Sequence, residues 1–152
     1  MSESKFDSYV SSIEVLFRVG DSKANEKLEE ASNVRLIQDL IMAIGRDDLT
    51  AVGEMLTDDV RLEVLGPDEL PFMREAKGRA RMLEAIKENF GAVRDQRPKI
   101  EAVIAQGDTV IVMMGEEGEV RATGKRYRIR GIQRFIIREK KVEMVEELFL
   151  RA

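Results

Sequence analysis

RPKIEAVIAQGDTVIVMMGEEGEVRATGKRYRIRGIQRFIIREKKVEMVEELFLRA, residues 97–152, reads as a succession of long strands. Pro98 introduces a strand over 99–106, and Gly107-Asp108 is a hairpin turn signal. Strands over 109–120 and 125–137 follow, then a turn at 138–140 and a closing strand over 141–150. Ahead of this block stand amphipathic helices and the phrase LTDDVRLEV, residues 56–64. There Val60, Leu62 and Val64 alternate with Arg61 and Glu63, the period of a half-buried strand. Helices followed by long hairpins predict an α+β domain, a cone-shaped curved antiparallel sheet wrapped around helices and enclosing a pocket.

Phe6, Val10, Ile13, Leu16 and Phe17 recur at helical spacing, so residues 5–19 are expected to form an amphipathic helix stopped by Gly20. Its apolar strip is expected to cover the cone mouth, cross to a twofold-related subunit, or pack on its own domain. Asp21 or Ser22 then caps a helical stretch carrying Ala24, Leu28, Ala31, Ile37, Ile41 and Ile44. It either runs unbroken to Ile44 or breaks near Ser32 and Asn33, both competent N-caps. Residues 1–32 are therefore read as a helical arm and 33–152 as the cone domain. Asp47 or Asp48 opens a short helix to Leu56, Gly66, Pro67 and Pro71 turn the chain, and Gly78 precedes a helix over 79–90 with Met82, Leu83, Ile86 and Phe90 on one face.

Composition removes whole classes of chemistry. The 152 residues fit one domain, and they include neither cysteine nor histidine. Disulfides, thiolate catalysis, Cys-ligated metals and the usual neutral-pH base are all excluded. Acid–base work must fall to carboxylates, Tyr or Lys, and no metal site or cofactor motif is expected. Net charge is -4 with both signs interspersed, which predicts no nucleic-acid partner. No apolar run approaches a membrane span of ~18 residues and the first ten residues lack a leader pattern, so no membrane partner and a cytoplasmic location are expected.

Strand parity sorts the candidate site. Over 125–137, Arg126, Arg128, Arg130 and Arg134 share one face, and Tyr127, Ile129, Gly131, Gln133 and Phe135 share the other, the expected inner face. The arginine row reads as a solvated face, with anion binding as the alternative. Gly131 suits the bend of a curved sheet. Val110, Val112, Met114 and Glu116 share a face of their strand. In the closing strand, parity leaves two faces open, one with Glu143, Val145, Glu147 and Phe149, the other with Val142, Met144, Glu146, Leu148 and Leu150.

The order of elements resembles the nuclear-transport-factor-2-like superfamily in its SnoaL-like and ketosteroid-isomerase-like branch. The likeness is carried by IGRDDLTAVGEMLTDDVRLEV (44–64), the segment from Lys77-Gly78 to Ile86, and ATGKRYRIRGIQRFIIREKKVEMVEELF (122–149). It implies a cystatin-like α+β barrel, a homodimer, and a register with Val145, Glu147 and Phe149 inward. Against ketosteroid isomerase, Val64 stands where a base aspartate is needed and Gly131 where the acid-donor aspartate falls, so steroid isomerisation is not implied. A weaker likeness to limonene epoxide hydrolase aligns its two aspartates with Glu116 and Glu147, its arginine with Met114, and its water-holding pair with Leu62 and Val64.

The candidate catalytic residues are thus Glu116, Glu147 and Tyr127. Two carboxylates in one apolar pocket split their affinities for a proton, which supplies an acid and a base from one residue type. The bland alternatives are that Glu116, in GEEGE, sits on a bulged and solvated strand end, that both glutamates are rim residues, and that Tyr127 bonds a neighbouring backbone group. The helices would supply Leu40, Ile41, Met82 and Ile86 to the ligand-binding wall, and the strands Leu62, Val64, Met114, Ile129, Gly131, Val145 and Phe149. Such a wall predicts a pocket for a small, largely apolar organic ligand, turned over by cofactor-independent acid–base chemistry of isomerase, cyclase or hydrolase type. The alternative is a non-catalytic dimerisation module whose cone is filled by its own side chains.

Overall fold

The computed structural model describes residues 28–152. The expected helix over 5–19 and its apolar strip lie outside the described residues. Helix α1 (Leu28–Gly45) runs through Ser32 and Asn33 without a break, the first of the two sequence alternatives. Its buried face, including Val34, Ile37, Leu40 and Ile41, keeps the helical period. Asn33 and Glu30 pin its start to the turn at Gly107, donating to the Gly107 carbonyl at 3.1 Å and accepting from its N–H at 3.0 Å respectively. Helix α2 (Leu49–Glu54) is capped by Asp48, whose carboxylate accepts from the Ala51 N–H.

Strand β1 (Leu56–Leu65) is followed by a three-residue strand β2 (Glu75–Lys77), helix α3 (Arg79–Gly91) and four long strands: β3 (Val93–Gln106), β4 (Thr109–Val120), β5 (Arg126–Arg138) and β6 (Lys141–Arg151). One six-stranded sheet results, in the order β2-β1-β6-β5-β4-β3. Periodicity located β4 residue for residue and β5 and β6 to within one. The pairing is antiparallel except between β1 and β6, which run parallel. That one pair departs from the curved antiparallel sheet expected: β1 reaches β6 across the whole length of the intervening chain, so no hairpin sets its direction.

Further boundaries differ from the sequence reading: the short helix expected to reach Leu56 ends at Glu54, and Leu56 already opens β1. β3 begins at Val93, well before Pro98, because Pro98 lies on the edge strand, where a missing N–H costs no central ladder bond. β2 is too short to show a period. Parity on the long strands holds: Tyr127, Ile129 and Phe135 are buried, and Arg126, Arg128 and Arg130 are exposed. The arginine row is a solvated, ion-paired face. Arg130 meets Glu101 at 2.7 Å and Arg134 meets Glu146 at 2.6 Å, each on a neighbouring strand or the one beyond.

At Gly131, inside β5, the backbone of β6 stands too close for any side chain. A Cβ built there would stand 1.8 Å from the Leu148 carbonyl oxygen of β6, so only glycine allows the two backbones to approach. The curved sheet packs its inner face on α1 and α3.

Candidate active site in the cone

A cavity of about 110 Å³ lies between the concave face and the helices. Its apolar wall comes from Leu40, Ile41 and Ile44 of α1, Met82, Ile86 and Phe90 of α3, and Leu56 and Leu62 of β1. The sheet adds Met114, Ile129, Phe135, Val145 and Phe149, and Phe72 closes it from the loop between β1 and β2. Val64 and Gly131, expected in this wall, stand outside it. Val64 is 1% exposed and packed in the core beside Glu147 in the parallel register, and Gly131 has no side chain to present.

Five polar residues face this space: Asn89, Gln96, Glu116, Gln133 and Glu147. Glu116 is buried, with 8% exposure, and β4 pairs with β5 around it without any register shift. The reading of a bulged, solvated strand end is therefore corrected. Its Oε2 accepts from the Tyr127 hydroxyl at 2.6 Å and from the Gln96 Nε2 at 3.3 Å. Tyr127 itself does not line the cavity. Its hydroxyl is turned onto Glu116 rather than onto a neighbouring backbone group, and its ring stands edge-on to Phe72 at 6.5 Å. Gly118, opposite Tyr127 in the β4–β5 ladder, makes room for this ring, since a Cβ there would sit 2.6 Å from the phenolic oxygen.

Gln96 reaches the interior through a bulge. Between Arg94 and Arg97, β3 carries one residue more than β4, and Asp95 takes up a φ of 51°. The extra residue reverses the parity, so that Val93 is buried before it and Gln96 after it. No sequence signal marks that bulge. Asn89, by contrast, falls on the Met82–Ile86 face of α3 and was legible from helical spacing; its Oδ1 accepts from the Met73 N–H at 2.8 Å and so helps hold the loop that carries Phe72.

The carboxyl group of Glu147 is strongly perturbed. Removal from water by the surrounding apolar wall pushes its pKa up to about 7. A hydrogen bond from Gln133, its direct partner across β5–β6, pulls it partly back, and the negative charge of Glu116 adds a smaller push upward. A carboxyl group poised there is present in both protonation states near neutrality, which is what proton transfer requires. Among the described residues no cluster of three or more acidic groups is arranged to hold a metal ion, and no helix is long and apolar enough to cross a membrane.

A curved six-stranded sheet closed over helices, with a carboxyl-bearing apolar cavity inside, defines the NTF2-like class of pocket folds. The family model of the SnoaL-like domain matches residues 37–144, and the chain belongs to that family. An NTF2-like protein from Burkholderia xenovorans LB400 superposes with a TM-score of 0.72 at 21% identity, covering 81% of this chain and 92% of that one. An LEH-like epoxide hydrolase of M. tuberculosis gives 0.59 at 16% identity, covering 82% and 85%. A hypothetical protein of ketosteroid-isomerase-like fold from Catenulispora acidiphila, in complex with trimethylamine, gives 0.59 at 11% identity, covering 73% and 82%. These likenesses establish the fold. No curated protein matches the chain.

Proposed function

We propose that the cone binds a small, largely apolar organic molecule and transfers a proton to or from it at Glu147, with no metal or organic cofactor. The observation that carries this reading is the Glu147 carboxyl, raised to about 7 inside an apolar cavity. Glu116 is the second proton-handling group, and Tyr127 and Gln96 position it through the two bonds to its Oε2. The fold family commonly binds small ligands and includes isomerases and epoxide hydrolases, in keeping with this reading. Epoxide opening of the limonene-hydrolase kind is not favoured: the positions aligned with its arginine and water-holding pair are Met114, Leu62 and Val64, none of which can bind water strongly.

The size of the cavity speaks for a small occupant and against a filled cone. Its volume of about 110 Å³ approaches the roughly 150 Å³ that admits a benzene ring in an apolar core. Benzene, phenol and cyclopentanone are suitable probes, with dissociation constants expected at about 0.1–1 mM for so few atoms. Exchange of the α-hydrogens of cyclopentanone in D2O, followed by NMR, reads proton transfer directly. Acceleration by the protein is expected to fall by ~10²-fold or more in Glu147→Gln and in Glu116→Gln, the ordinary weight of a general acid or base. Failure of all three probes to bind would favour the filled, non-catalytic cone, and unaltered exchange in both variants would remove the carboxyls from the chemistry.

Association is proposed through the outer face of the sheet. Leu65, Leu148, Ile132, Met113 and Ala102 stand side by side in register across five strands, all on the side away from the cavity. Leu65 and Leu148 are 54% and 39% exposed, so this end of the row lies open. A second copy laid across it on a twofold axis would bury the same row on both sides. Ile132→Asp combined with Leu148→Asp is expected to halve the mass seen by light scattering. A monomeric wild-type chain at high micromolar concentration would sink the dimer.

A further inference from the structure

The described wall of the cavity is unevenly built. Its helix and strand residues are held by the intrahelical and ladder bonds of α1, α3 and the sheet, whereas Phe72 stands on the loop over residues 66–74. Segments without such bonds open at lower free energy than the elements around them. The loop is compact in itself. Glu63 and Glu75 pair at its base and the Val64 N–H donates to the Arg74 carbonyl at 2.8 Å, so its two ends are fixed side by side. Arg74 Nη2 donates to the Pro67 and Leu70 carbonyls at 2.8 and 3.2 Å, and Leu70, 3% exposed, packs against Gly66. Joined ends, internal packing and the fixed φ of Pro67 and Pro71 make a compact loop that moves as one body.

Two polar ties join this loop to other elements among the described residues. Glu69 pairs with Arg151 of β6 on the exposed surface, where an ion pair contributes little. On the inner side the Met73 N–H donates to Asn89 Oδ1 at 2.8 Å, and Asn89 belongs to α3 and itself lines the cavity. Met73 is the neighbour of Phe72, so that bond holds the ring over the cavity and edge-on to Tyr127 at 6.5 Å. Arg74 Nη1 is buried without an acceptor, a cost to the closed position that is relieved when the loop lifts into water. We infer that the loop over 66–74 is the door of the cavity, and that a ligand enters and leaves when the Asn89–Met73 bond breaks and Phe72 swings out. The inference rests on the ligand cavity proposed above and adds its route of access.

A latch of this kind has a kinetic signature. The loop is closed in both the free and the loaded protein, so weakening the latch speeds entry and exit by the same factor and leaves Kd nearly unchanged. A residue that merely touched the ligand would change the exit rate and Kd together. Fluorobenzene is the probe, its rates taken from fluorine NMR line shapes and its Kd from titration of the full chain. Asn89→Ala is expected to raise both rates about threefold to tenfold, the usual contribution of one hydrogen bond, with Kd changed by less than about twofold. Phe72→Ala should raise both rates at least as much. In the ligand-free wild-type chain, hydrogen exchange at the Met73 N–H should run about tenfold or more faster than in the β5–β6 ladder, because the loop opens without the sheet. If fluorobenzene binds and its rates are unaltered in both variants, it enters elsewhere, and the door is wrong while the pocket stands. If Asn89→Ala speeds exit alone and weakens binding in step, Asn89 is a ligand contact and not a latch. Exchange at Met73 as slow as in the ladder would overturn the door as well, since the loop would then open only with the whole fold. If fluorobenzene does not bind, the cavity reading falls and the door with it.

Discussion

Gly131→Ala is expected to destabilise the protein by about 3 kcal/mol or more, at or beyond the upper end of the cost of overpacking a core. The reason is geometric. The added Cβ would fall 1.8 Å from the Leu148 carbonyl oxygen and 2.9 Å from its carbon, both backbone atoms, so no side-chain rotation relieves the contact. Relief requires β5 and β6 to separate there, which breaks ladder bonds on either side of the Gly131–Phe149 pair. For a chain of this length the melting temperature should drop by roughly 6–12 °C. Calorimetry of the purified variant checks it, and a drop of less than about 2 °C would mean that the two strands do not need so close an approach at this residue. Because Phe149, the partner of Gly131 across β5–β6, lines the cavity, ligand probes should bind more weakly in any fraction that remains folded.

Glu147→Gln is expected to raise stability at alkaline pH while leaving it nearly unchanged in acid. In the native state the carboxyl has a pKa of about 7, against an ordinary 4.5. The folded chain therefore holds this proton more tightly than the unfolded one. Below about pH 4.5 both states are protonated and the residue imposes no penalty. From there to about 7 stability falls as the unfolded chain loses its proton and the native one keeps it, and above 7 the full penalty persists. The difference in pKa corresponds to about 3 kcal/mol, so the variant should melt roughly 6–12 °C above wild type at pH 8. The two should converge near pH 5. Parallel melting profiles across that range would show that Glu147 is not desolvated, and the proton-transfer reading would lose its main support. A residue that costs stability and yet sits in the pocket is what a stability–function trade-off looks like.

Much of the architecture was legible because its signals are local. Alternation in β4, β5 and β6 placed each strand almost to the residue, and Gly107-Asp108, Gly78 and Asp48 marked turns and caps by their own conformational preferences. The turn between β5 and β6 shows why such signals sometimes weaken. Glu139 and Lys140 both adopt positive φ, 50° and 63°, in a hairpin usually written with Asn or Gly, and the flanking strands alone locate it. β3 was read short because Arg94, Asp95 and Arg97 have no period, and Pro98 looks like a barrier until its place at the sheet edge is known. The site was legible in part for the same reason. Inward parity brought out Glu116, Gln133 and Ile129, whereas Gln96 depends on a bulge and Phe72 on a loop, neither of which leaves a periodic trace.

What the sequence determines by itself is a set of faces: which side of each strand and helix is apolar, where the chain turns, and that carboxyl groups must do any acid–base work in a chain without His or Cys. Those properties follow from side-chain chemistry and from backbone periods of two and 3.6 residues, which need no distant partner. The tertiary structure alone decides that β1 lies parallel to β6, that the β6 backbone presses on Gly131, and that Tyr127 and Gln96 meet on one oxygen of Glu116. It also decides that Glu147 loses enough water for its pKa to reach about 7. Desolvation and convergence depend on what the rest of the chain places around a group, and residues far apart in sequence become one site only when the sheet curves.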